Sequence, residues 1–509
     1  MIMIFDRESG ILLHPSSLPA KYGIGDLGEE AYDFIDFLQG AKQRLWQILP
    51  LNPPGYGESP FQCYSAFAGN PLLISPDRLW AAGLLLKDDL QEVPEFCESR
   101  VQFALVREYK ERLLRKAYQN FKRKKKDSGY EEFIFEASWL KDFTLFMALK
   151  NYFKGLPWNQ WESSIALREE RAMAHYRTLL AEEIAYHGFV QFIFFTQWLN
   201  LKKYANSREI KIIGDLPIFV SYDSSDAWAH PRLFELDEQG NPAKVAGVPP
   251  DYFSETGQLW GNPLYRWEEM EKDGYRWWRE RFNSLLKTVD IVRLDHFRGF
   301  EAYWEIAAGQ PTAVQGRWVK GPGEKFFRTM MKHLGDMPVI AEDLGLITPE
   351  VYELKDQFHF PGMKVLQFHL HSSEKELYLP HHYESNTVVY TGTHDNDTTL
   401  GWYKGLLLED PQEAAFLHQY LKEYLDGVTT FPENICWQMI EVAFSTAANT
   451  VIIPLQDILC LDSDARMNFP GTVGGNWEWR LRPGSLTPEL QERLARLSVL
   501  YNRNNGTQI

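Results

Sequence analysis

Three carboxylates stand just past three apolar runs. Asp295 follows Ile291-Val-Arg-Leu294, Glu342 follows Pro338-Val-Ile-Ala341, and Asp395 lies shortly after Thr387-Val-Val-Tyr390. Two carboxyl groups about 5–5.5 Å apart can open a glycosidic bond with retention. One attacks the anomeric carbon. The other, its pKa raised, protonates the leaving oxygen and later deprotonates the incoming hydroxyl. In a strand alternate residues share a face, so Arg293 points the same way as Asp295. A cation there keeps the carboxylate ionised, as a nucleophile requires, although a structural ion pair capping a strand would have the same pattern. Glu342 has no basic neighbour and precedes a turn, which suits the acid/base. Asp395 suits a group that holds sugar hydroxyls and opposes charge on the ring, with His394 donating to a hydroxyl beside it.

Other roles are open to the same residues. His394, Asp395 and Asp397 could hold a divalent metal, with Asp295 and Glu342 completing the set. The Asp and Asn around Asp395 are more simply loop residues that bond their own backbone. No metal and no cofactor are expected. His14 and His296 also lie near strand ends, where a lone His is usually a satisfied structural group.

Eight strand-like runs position these groups: Gly10–His14, Arg44–Leu51, Glu209–Pro217, Ile291–Leu294, Pro338–Ala341, Met363–Phe368, Thr387–Tyr390 and Thr450–Leu455. Most precede a helical pattern. Thr348-Pro-Glu and Thr487-Pro-Glu carry an N-cap Thr with Pro at the first helical position. Strand-then-helix units in series imply a parallel sheet, and eight of them a closed (β/α)8 barrel whose mouth gathers the residues at the strand ends. The expectation is one catalytic barrel spanning residues 1–509, with no trailing β-domain. A helical insertion at 77–200 follows the second strand, and a long active-site loop at 228–265 is Gly/Pro-rich and without clear period. The run Lys122-Arg-Lys-Lys-Lys126 is expected to be a solvated helix end.

Bulk properties narrow the class. The 509-residue chain is 44% hydrophobic, enough for a sizeable core, and carries a formal charge of −16. That charge argues against nucleic acid or an anionic membrane as partner and is compatible with a neutral substrate. Four scattered cysteines, Cys63, Cys97, Cys436 and Cys460, favour a reducing compartment. No apolar run reaches the roughly 18 residues of a membrane span. A cytoplasmic protein, monomeric or weakly homo-oligomeric, is expected.

Longer motifs recur in order around these residues. Arg293-Leu-Asp-His-Phe-Arg-Gly-Phe, Ala341-Glu-Asp-Leu-Gly and Thr393-His-Asp-Asn-Asp resemble the nucleophile, acid/base and third-acid motifs of the 4-alpha-glucanotransferases (amylomaltase or disproportionating enzyme), a family of the α-amylase clan. Gly214-Asp-Leu-Pro-Ile-Phe-Val, Gly247 to Pro263, Gly316 to Gly323 and Arg466-Met-Asn-Phe-Pro-Gly471 are similar to further family motifs, and the likeness runs from Gly10 to Arg480. It implies that Asp295, Glu342 and Asp395 are catalytic. It also implies α-1,4-glucans and maltooligosaccharides as substrates, with Tyr56, Ser59, Phe61, Asp215, Tyr252, Phe253, Trp260, Arg293, His394 and Asn468 around the sugar. Two departures stand out. Phe61 replaces the family's common Tyr, keeping a ring and losing a hydroxyl, and Ala307 stands where Pro is frequent.

The resemblance implies transfer of a glucan segment to the 4-hydroxyl of another glucan by double displacement. The residues alone reach only retaining attack on a glycoside. Whether water or sugar accepts depends on aromatic platforms and loop closure, for which Trp260, Tyr252, Phe253 and Tyr56 are candidates. A plain α-glucan hydrolase and a non-catalytic glucan-binding protein are the alternatives.

Overall fold

A computed structural model describes the protein at residues 6–124, 128–250, 254–371, 379–425 and 434–504. Eight parallel strands form its centre: β1 Glu8–Leu12, β2 Leu45–Gln47, β3 Lys211–Leu216, β4 Ile291–Leu294, β5 Val339–Ala341, β6 Gly362–Val365, β7 Thr387–Tyr390 and β8 Thr450–Pro454. Their hydrogen-bonded order is β6-β7-β8-β1-β2-β3-β4-β5. Between β5 and β6 the ring is drawn shut by the Ala341 N–H on the Pro361 carbonyl at 2.9 Å and the Met363 N–H on the Asp343 carboxylate at 2.7 Å. Every residue of β4, β5, β7 and β8 is buried, as expected of parallel strands covered on both faces. Gly10 is required where β1 meets β2, since a Cβ there would lie 2.3 Å from the Leu45 carbonyl oxygen.

All eight expected runs overlap a barrel strand, and two of the strands, at Glu8 and Gly362, begin earlier than expected. Two end well short: the Arg44–Leu51 run is strand only over Leu45–Gln47, and the Met363–Phe368 run leaves the strand at Val365, where Leu366–His369 form a helical turn. A continuous apolar run does not distinguish a buried strand from a buried helical turn. Thr487 caps its helix by accepting the Leu490 N–H. Thr348 holds the N-cap position without such a bond, its hydroxyl being engaged with Glu350.

Between β2 and β3 the chain is mainly helical. Its long helices are Phe103–Arg123, Leu140–Tyr152 and Ala181–Ser207. The last lies against the barrel, where the Trp198 indole N–H donates to the Thr288 carbonyl at 2.9 Å and the ring packs near Trp46. Lys122 of the basic run pairs with Glu182, while Lys125 and Lys126 lie outside the described residues. The stretch 228–265 is not wholly irregular. Lys244–Val248 and Gln258–Pro263 pair antiparallel and join Ala302–Ala307 and Gly316–Lys320 in a four-stranded sheet beside the barrel mouth. A register shift between Val245 and Gly247 breaks the alternation that would have revealed the first strand. Among the described residues no helix is long and apolar enough to cross a membrane.

Candidate active site

The register of three neighbouring strands assembles the charged centre. Asp215 of β3 lies opposite Arg293 of β4, and Leu294 of β4 lies opposite Ala341 of β5. The next residues, Asp295 and Glu342, therefore leave adjacent strands side by side. The ladder continues one step beyond the strands, with the Asp295 N–H on the Leu216 carbonyl and the Glu342 N–H on the Leu294 carbonyl, each at 3.1 Å. His296 then takes a left-handed backbone, φ 50°, uncommon for a residue with a Cβ. Its N–H donates to Glu342 Oε2 at 2.7 Å, and the Leu344 N–H donates to Oε1 at 2.9 Å. Asp343 points the other way, to Lys355 and the Met363 N–H.

One cation pairs with two of the three carboxylates here. Arg293 Nη1 donates to both oxygens of Asp215, at 2.7 and 2.8 Å, and to Asp295 Oδ1 at 2.9 Å. The Asp215 side chain has no exposed surface, whereas that of Asp295 is 26% exposed. Burial raises the Glu342 carboxyl to about 7, the Asp295 charge adds to the rise, and Arg293 and the two amides oppose it. Burial also raises Asp215, against the pull of the Arg293 guanidinium bonded to it. A single buried guanidinium cannot neutralise three anions, and Glu342, which has amide contacts rather than the ion pair, is the carboxyl placed to carry a proton.

Asp395 reaches the mouth on the segment after β7. Its Oδ1 accepts from Asn468 Nδ2 at 2.7 Å and lies 3.5 Å from His394 Nε2, while Arg466 donates to its carbonyl at 2.6 Å. Burial lowers the His394 pKa, so the ring is neutral at pH 7 although Asp395 and Asp295 oppose the shift. Phe61 stacks on His394 with centroids 5.0 Å apart and planes 13° apart. Trp477 packs on both rings at 5.8 and 5.9 Å and was not anticipated; the Gly474-Gly475-Asn476 turn before it was the available signal. Trp260 meets the His296 ring edge-on at 4.8 Å, its indole N–H on Gln258 at 3.1 Å. Ser59 Oγ accepts the Phe61 N–H at 3.2 Å, and Tyr56 is 77% exposed at the rim. Tyr252 and Phe253 lie outside the described residues.

His14 and His296 depart from the expectation of satisfied structural groups. His14 Nδ1 and His296 Nε2 are buried with no hydrogen-bond partner among the described residues, and burial drives both pKa values down to about 3. Neutral rings with an unspent nitrogen suit hydroxyl ligands. The metal alternative finds no such opening. Both Asp397 oxygens are occupied, by the Thr398 N–H and the Ser463 hydroxyl at 2.7 Å each, and among the described residues no group of three or more His, Cys, Asp or Glu could hold a metal ion.

Residues 13–487 match the family model described as 4-alpha-glucanotransferase. The chain is 50% identical over 508 residues to the 4-alpha-glucanotransferase of Thermus thermophilus, covering 98% of this chain and 100% of that one. To the 4-alpha-glucanotransferase of Synechocystis it is 49% identical, with 98% and 99% covered. The solved structure of an amylomaltase from Streptococcus agalactiae in complex with acarbose superposes with a TM-score of 0.93 at 40% identity, covering 98% of this chain and 100% of the other.

Proposed function

The chain belongs to the 4-alpha-glucanotransferase family, and from that premise we propose how its barrel mouth moves a segment of an α-1,4-glucan onto the 4-hydroxyl of another glucan or of glucose. Asp295 attacks the anomeric carbon, forming a covalent glucosyl-enzyme as the glycosidic bond breaks. Glu342 delivers its proton to the departing 4-oxygen, then takes a proton from the incoming 4-hydroxyl as that oxygen displaces Asp295. The observation that carries this reading is the side-by-side exit of Asp295 and Glu342 from paired strands, one carboxylate on Arg293 and the other on two amides.

Asp395, held by Asn468 beside neutral His394, binds sugar hydroxyls and opposes the positive charge that develops on the ring. The free nitrogens of His14 and His296 are available to further hydroxyls. Phe61 and Trp260 provide apolar faces for sugar rings, and Tyr56 extends the track outward, with Ser59 fixing the Phe61 turn. Arg293 and Asp215 act together. Asp215 fixes the guanidinium, which in turn donates to Asp295 Oδ1 and orients it. The protein works as a monomer or weak homo-oligomer in the cytoplasm, a location that fits its four free cysteines.

Incubation with pure maltotriose tests the proposal. Transfer yields glucose together with longer oligosaccharides, with almost constant total reducing ends. A steady rise in reducing ends with nothing longer than the input would mean that water is the acceptor.

A further inference from the structure

A buried carboxylate with no part in the chemistry above sits beneath the Asp395 segment. Asp457 lies in the helical turn Leu455–Ile458 that follows β8 and is 1% exposed. Its Oδ2 accepts the Thr391 hydroxyl at 2.5 Å, and its Oδ1 accepts the Thr399 N–H at 2.7 Å. Thr391 follows directly on β7, and Thr399 opens the helix Thr399–Glu409. The residues between them carry His394 and Asp395, so one side chain grips both ends of the segment that presents the third carboxylate.

Among the described residues Asp457 has no ion pair, and burial raises its carboxyl. A carboxyl buried without a cation costs stability unless its hydrogen bonds are well made. The rest of the segment is held from outside in the same manner: Arg466 on the Asp395 carbonyl, Asn468 on its carboxylate and Ser463 on Asp397. Asp457 is the member of this frame that acts on the two ends rather than the crest. It also borders a small cavity of about 30 Å³ that is lined by Thr393, His394, Asn396 and Asp397 of the same segment.

We propose that Asp457 is a positioning residue for the transfer reaction, fixing the height and direction of Asp395 through Thr391 and Thr399 without touching sugar. This rests on Asp395 being a sugar-holding carboxylate. A displacement of about 1 Å at such a group can cost 10²-fold in rate.

A two-background experiment tests it, reading kcat on maltotriose and binding of acarbose, the ligand in the Streptococcus agalactiae complex. Asp457→Ala should lower kcat about 30- to 100-fold while the maltotriose KM moves less than about threefold. Asp457→Asn should recover to within about fivefold, its amide oxygen accepting the Thr399 N–H and its amide nitrogen donating to the Thr391 hydroxyl. In the Asp395→Ala background, Asp457→Ala should weaken acarbose binding by less than about twofold beyond Asp395→Ala alone, against about tenfold in the parent. Equal losses in both backgrounds, or an unchanged kcat in Asp457→Ala, would overturn the proposal. Should Asp457→Ala not fold, Thr391→Val removes one of the two grips at similar volume. It should lower kcat about 5- to 10-fold, with recovery in Thr391→Ser, and no loss in Thr391→Val would overturn the proposal equally. If Asp395→Ala alone leaves kcat and acarbose binding intact, the assignment of Asp395 fails first, a result distinct from the others.

Discussion

Glu342 and Asp295 leave paired positions of β5 and β4, and the Glu342 carboxylate accepts the N–H of the residue directly after Asp295, His296, at 2.7 Å. The Glu342 carboxylate is thus fixed relative to Asp295 by the main chain itself. Two backbone donors hold Glu342, and a guanidinium holds Asp295. The same register that places them together gives them different surroundings.

Replacing either member should remove turnover by different routes. Glu342→Gln is expected to lower kcat on maltotriose by about 10²–10⁴-fold while acarbose still binds. Asp295→Asn should abolish the glucosyl-enzyme altogether. Mass spectrometry of enzyme quenched during turnover should find one or more added glucosyl units on the parent protein and none on Asp295→Asn.

The raised Glu342 pKa has consequences for both rate and stability. Bond cleavage needs the proton, so kcat/KM should fall about tenfold per pH unit above about 7. An alkaline limb starting above pH 9 would contradict the assignment. A carboxyl whose folded pKa lies above its ordinary 4.5 contributes stability below 4.5, and that contribution is lost as pH rises through about 7. Relative to Glu342→Gln, the parent should lose about 3 kcal/mol between pH 4 and pH 8, read by urea denaturation.

Asp215 should prove structural as well as catalytic in its effect. Removing it strands a buried guanidinium, so Asp215→Ala should cost about 3–5 kcal/mol of stability. Activity should fall further than folding explains, because Arg293 then turns on Asp295 alone. Fully folded Asp215→Ala with parental kcat would refute this.

Phe61 offers a milder test. Its stack on His394 is worth about 0.5–1.5 kcal/mol, so Phe61→Leu should reduce kcat/KM about two- to tenfold. Phe61→Tyr keeps the ring and should stay within about threefold of the parent.

A chelator should leave the rate on maltotriose unchanged, because Asn468 takes one oxygen of Asp395 and Ser463 and the Thr398 N–H take both oxygens of Asp397. Activity lost in EDTA and restored by a divalent ion would reopen a site at His394, Asp395 and Asp397.

The sequence by itself marked the eight strands and the three carboxylates at their ends. Those signals are local: an apolar run of strand length, then a charge, then a turn. It also placed Arg293 on the face of Asp295, since the two-residue period of a strand is fixed within one segment. It did not reveal that Arg293 is held chiefly by Asp215, from a strand 78 positions earlier. Nor did it reveal the antiparallel sheet hidden in 228–265, or Asp457 under Thr391 and Thr399. Which strand lies beside which, and in what register, depends on ladders closed between distant segments and on which charges lose their water together. Those quantities exist only once the chain has folded, and they decide which carboxyl meets the guanidinium and which meets two backbone amides.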